Sequence, residues 1–61
     1  MAKQTIEGQQ KAIDEENKII SNIKTHYRGR NMPEYEKMYI EGLQKRILER
    51  EAWIKDQLYN S

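Results

Sequence analysis

Arg28-Gly29-Arg30-Asn31-Met32-Pro33 is the one place in this 61-residue chain where glycine and proline stand close together, and it separates two segments that each carry isoleucine or leucine at helical spacing. Glycine adopts the positive φ on which helices commonly end, and proline suits a first helical turn. An interval running from one to the other reads as the end of one helix and the start of the next. The chain is therefore expected to be all-α, a single-domain, two-helix antiparallel hairpin of coiled-coil type. Helix 1 is expected over about 5–28, the turn over about 29–32 and helix 2 over about 33–60. A connection this short forces the helices to lie as antiparallel neighbours.

Upstream of the turn, Ile6, Ile13, Ile20 and Tyr27 recur every seven residues, and Ala12, Ile19 and Ile23 widen the same stripe. At about 100° per residue these positions fall on one side of a helix. Thr5 is suited to cap its start, with Glu7 in the first turn, while Lys24, Arg28 and Arg30 place positive charge at its end, where the helix dipole is negative. Downstream, Ile40, Leu43, Ile47, Ile54 and Leu58 form the second stripe. Asn31 followed three residues later by Glu34 resembles a capping box, and Pro33 is expected in the first turn. Both stripes are interrupted by polar residues, Gln9 and Glu16 on the first, Arg50 and Glu51 on the second. Folding the hairpin brings Glu16 towards Arg50, which leaves two outcomes, a cross-helix ion pair or two side chains reaching solvent independently.

Charged residues make up 34% of the chain and apolar residues 36%. A domain this small buries only about 60% of its unfolded surface, and its core is thin. Disulfides, bound metal, exceptional packing or self-association usually supplement such a core. The chain has no cysteine and one histidine, which removes disulfides and a zinc-type site and leaves no cofactor to expect. Ala12, Ile19, Leu48 and Trp53 flank the stripes where one hairpin cannot cover them fully. The expectation is a homodimer forming a four-helix bundle. No apolar run approaches the ~20 residues of a membrane span or the core of a signal peptide, so the expected location is the cytoplasm, that of the host for a viral protein, with no membrane partner. A net charge of +1 excludes a general polyanion binder and leaves room only for a local basic patch.

Helix 2 carries residues that its core stripe does not explain. Tyr35, Tyr39, Gly42, Arg46 and Trp53 share a sector about 60° wide, displaced by about 120° from the line of Ile40, Ile47 and Ile54. Tyrosine, tryptophan and arginine are enriched at binding hot spots, and a glycine among them lets another backbone come close. These five residues are the candidate partner-binding face, and the plainer alternative is that they complete the core of a dimer. The turn offers a second candidate in Lys24, His26, Tyr27, Arg28 and Arg30, cations with a stackable ring and no acid, which suits a small phosphate or RNA contact. The same cations are also what the end of a helix favours on its own.

Nothing points to catalysis. Asp14, Glu15 and Glu16 are adjacent acids that diverge around a helix, and no nucleophile-base pair, glycine-rich phosphate loop or metal spacing is present. The function expected is that of a small non-enzymatic interaction module that binds a larger protein and modulates or inhibits it. Its size and shape are common among small bacterial regulators and phage proteins that block a host machine. The alternatives are a nucleic-acid-binding accessory protein acting through the basic turn, and a structural or assembly subunit.

Overall fold

The computed structural model describes residues 3–60 as two helices, α1 (Ile6–His26) and α2 (Glu34–Tyr59), joined by a turn and packed on each other. The hairpin measures 45 × 21 × 14 Å, two helices wide and one deep. Among the described residues there is no strand, and no helix is long and apolar enough to cross a membrane.

The start of α1 is fixed by Thr5, whose extended backbone and hydroxyl, accepting from the Gly8 amide at 2.9 Å, satisfy one of the donors a helix leaves free. Its end comes two residues earlier than the sequence suggests. Tyr27 closes the last turn by donating from its backbone to the carbonyl of Ile23, and the Arg30 amide then bonds the carbonyl of Tyr27 at 2.8 Å. Gly29, at φ +75°, makes the reversal that follows, and a residue with a Cβ is strained in that conformation.

The start of α2 differs from the sequence expectation. Pro33, not Asn31, stands at the capping position, with ψ 152° and no side-chain cap. Its carbonyl accepts the amides of Glu36 and Lys37, so the proline begins the helix by its fixed φ, while Asn31 lies exposed two residues too far out to reach the first-turn amides. Glu34 and Glu36 supply the acid that the dipole favours there.

The core is one narrow seam. Ile13 and Ile20 of α1 meet Ile40, Leu43 and Ile47 of α2, each between 4% and 8% exposed, with Ile23, Met32 and Ile54 packed against them. Burying a side chain of this size stabilises by about 1.5 to 3 kcal/mol. Met32, read from sequence as part of the turn, folds back over the seam and closes that end. At the open end Ile6 and Leu58, which the spacing pairs, remain 38% and 62% exposed, so apolar burial weakens away from the turn.

Candidate functional site

The middle of the seam holds a polar cluster instead of further aliphatics. Arg50 donates from Nε to Glu16 Oε1 at 2.8 Å, from Nη2 to Glu16 Oε2 at 3.4 Å and from Nη1 to Gln9 Oε1 at 2.9 Å. Of the two outcomes open from sequence, the ion pair is the one that forms, and it is the single ion pair within 4.0 Å among the described residues. Glu16 is 7% exposed, as buried as the isoleucines around it. A carboxylate so placed is tolerable because both of its oxygens accept from one planar guanidinium. Gln9, which looked like a break in the stripe, is the third member. The recurrence of Gln9 and Glu16 on the core side of α1 was the available signal for this cluster. Among the described residues no buried side-chain nitrogen or oxygen is left without a hydrogen-bond partner.

One face of α2 is left uncovered. Tyr35 and Tyr39 are 68% and 51% exposed, Gly42 and Arg46 lie open beside them, and Trp53 is half-buried further along. The structure thus keeps the five predicted residues on one side and sets the tryptophan deepest. Two shallow recesses follow this face. Gln4, Gln9, Arg46, Glu49, Arg50 and Trp53 line one, and Met38, Tyr39, Gly42, Leu43 and Arg46 line the other. A methyl group built on Gly42 would meet nothing within 4 Å, so no intrachain contact explains a glycine in mid-helix. Met38, at 64% exposure, belongs to this surface and was not singled out from sequence, because it lies just outside the aromatic sector.

α1 contributes to the same side of the molecule. Ala12 and Ile19 sit on its helix about one residue back from the core stripe, as the aromatic residues do on α2. In an antiparallel pair, equivalent offsets point to the same broad face. Ile19 is 38% exposed and Ala12 half-buried. The opposite face carries Asn17, Ser21, Gln44 and Lys55, with Leu48 at 66% exposure the apolar exception.

The basic turn is divided by the fold. Lys24, His26, Arg28 and Arg30 are exposed and form no hydrogen bond or ion pair through their polar side-chain atoms with another described residue. Tyr27 turns inward. Its ring meets that of His26 edge to face, 4.9 Å apart at 88°. Its phenol is pushed above the usual tyrosine range, first by partial burial, then by the neighbouring phenol of Tyr35 and the carboxylate of Glu36. The ring expected to stack on a base is thus half-buried and packed edge to face on His26. Lys24 and Arg28 border a shallow polar groove with Asn17, Ser21 and Thr25. No group of three or more histidine, aspartate or glutamate side chains able to hold a metal occurs among the described residues. No protein-family model, curated protein or solved structure matches the chain.

Proposed function

We propose that the chain is a small non-enzymatic interaction module that binds a larger protein through the face of Tyr35, Tyr39, Gly42, Arg46 and Trp53 and modulates it by occupying a surface. The observation that carries this reading is the exposure of Tyr35 and Tyr39 beside Arg46, whose guanidinium has no partner among the described residues. Large amphipathic rings next to a free guanidinium supply contact area and directional bonds to a protein partner at small conformational cost. The recesses along the face are shallow and open, suited to side chains of another protein and too open to desolvate a small substrate. Self-association into a four-helix bundle, in the cytoplasm, belongs to the same reading, because one narrow seam leaves both helices with uncovered apolar flanks.

Placing a photo-reactive amino acid at Tyr39, and separately at Lys55 on the solvated side, tests this in lysate of the source cell. A discrete cross-link from position 39 to a protein other than the chain itself, absent from position 55 and lost with Arg46→Glu, is expected. Equal cross-linking from both positions would remove the reading.

A second reading, a nucleic-acid accessory role for the turn, is favoured by the unpaired Lys24, Arg28 and Arg30 beside the polar groove. Phosphate contacts weaken steeply as salt is added, whereas an aromatic interface responds little. Replacing the three cations by glutamine should leave folding intact, and any nucleic-acid binding that survives the change is not due to this turn.

A further inference from the structure

Along the uncovered side of α2, Tyr35, Tyr39, Gly42, Arg46, Glu49 and Trp53 follow one another in steps of four, three, four, three and four residues. The core seam of the same helix, Glu36, Ile40, Leu43, Ile47, Arg50 and Ile54, has the same steps one residue later. A helix with two heptad seams side by side has two helical neighbours, and this hairpin supplies only the first.

The step series reads the same in both directions, and so does its chemistry. Run antiparallel against itself, the seam sets Tyr35 against Trp53, Tyr39 against Glu49 and Gly42 against Arg46. Each pairing is complementary: ring on ring, phenol donor to carboxylate, and a flat guanidinium over the one residue without a side chain. Arg46 and Glu49 form no ion pair with another described residue, and a Cβ at Gly42 meets nothing within 4 Å, so these groups are available for such pairing.

The first helix supplies an independent check. The turn between His26 and Glu34 is centred on Arg30. The midpoint of the α2 seam, near Gln44, therefore stands level with Glu16 on α1. Ala12 and Ile19 lie on the same face about equally far to either side of that level, so one two-fold axis brings the small Ala12 of each copy against the half-exposed Ile19 of the other. The area is adequate as well. The face spans at most 45 × 21 Å in outline, room enough for the ~800 Å² of accessible surface that each partner of a standard stable interface buries.

We infer that in the free protein the occupant of this face is a second copy of the chain, which a larger partner would have to displace, related by a two-fold axis passing between Gly42 and Arg46 and completing a four-helix bundle with α2 against α2 and α1 against α1. The inference rests on the reading of the face as an interface and names what covers it. The natural chain has no cysteine, so single thiols can be introduced cleanly. Sedimentation equilibrium should give about 15 kDa, twice the 7.4 kDa chain, at micromolar concentration. Mixing the Ala12→Cys and Ile19→Cys variants under mild oxidation should give the mixed disulfide in clear excess over either symmetric one, while Leu48→Cys, on the opposite flank, should cross-link slowly. Arg46→Glu should raise the dimer dissociation constant at least tenfold with the helicity of the dissociated hairpin unchanged.

A monomer at every concentration up to about 1 mM overturns the inference, and so does a dimer that cross-links as readily through Leu48→Cys. An unchanged dissociation constant in Arg46→Glu overturns it too. The target-binding reading would stand or fall separately, on photo-cross-linking to a different protein from position 39.

Discussion

Arg50 reaches across the hairpin to hold both carboxylate oxygens of Glu16, at 2.8 and 3.4 Å, and the contact joins positions 34 residues apart in the chain. With its companion bond to Gln9 it gives direction to a seam otherwise joined by aliphatic packing, so it opposes sliding of one helix along the other. Arg50→Ala leaves Glu16 buried and unpaired and should destabilise the hairpin by about 2 to 3 kcal/mol. That is below the 3 to 5 of a fully buried pair, because the Arg50 side chain keeps 30% of its surface in water. Glu16→Leu combined with Arg50→Leu removes the charge together with its partner and should recover most of that loss. Urea unfolding of the two variants checks both signs, and a double variant less stable than Arg50→Ala would contradict the argument.

Gly29 holds φ +75°, and a Cβ added there would meet nothing within 4 Å, so backbone strain alone decides substitutions at this position. Gly29→Val should cost about 1 to 2 kcal/mol, and Gly29→Asn clearly less, since asparagine tolerates the left-handed region. Thermal melts of the two variants at equal concentration provide the comparison. Equal losses would mean that the turn rearranges around the substitution.

Gly42 is the opposite case, a glycine inside a helix with open space beside it. At concentrations low enough to dissociate any dimer, Gly42→Ala should raise hairpin stability by about 1 kcal/mol through helix propensity. At high concentration the gain should shrink or reverse, because the added methyl keeps a second backbone away. Circular dichroism melts across a hundredfold dilution series report both limits.

Partial burial, with the phenol of Tyr35 and the carboxylate of Glu36 close by, raises the Tyr27 phenol above the usual tyrosine range in the folded protein. A folded-state pKa raised above the unfolded value of about 10 contributes stability that is fully present below pH ~10 and is lost as pH rises through the folded pKa. The thermal midpoint should therefore be flat from pH 7 to 9 and fall on the alkaline side. Tyr27→Phe should make that fall shallower, and thermal melts of the two proteins across the alkaline range provide the comparison.

Trp53 is half-buried and Tyr39 half-exposed, which separates their roles in folding. Trp53→Ala should cost about 2 kcal/mol, a part of the 3 to 5 for a fully enclosed ring. Tyr39→Ala should shift the thermal midpoint little while weakening association. Loss of folding in Tyr39→Ala would mean that this ring belongs to the core.

Local chemistry determined the hairpin. The helical spacing of Ile6, Ile13, Ile20 and of Ile40, Leu43, Ile47, the Thr5 cap, the positive φ of Gly29 and the separate sector of Tyr35, Tyr39 and Arg46 are all legible because each depends on residues within a few helical turns. The tertiary structure decided the rest. Whether Glu16 meets Arg50 or solvent, whether Gln9 joins them, whether Tyr27 faces a ligand or Tyr35, and whether Met32 folds over the seam all depend on how far each helix is rotated about its axis and shifted along its neighbour. A slip of one residue turns a side chain by about 100° and moves it by about 1.5 Å, and neither helix carries that offset in its own sequence. It is set by the joint packing of the two stripes. Asn31 shows the same limit on a smaller scale: its residue type suits a cap, but the fixed φ of Pro33 starts the helix two residues later and leaves that side chain out of reach of the amides it would have capped.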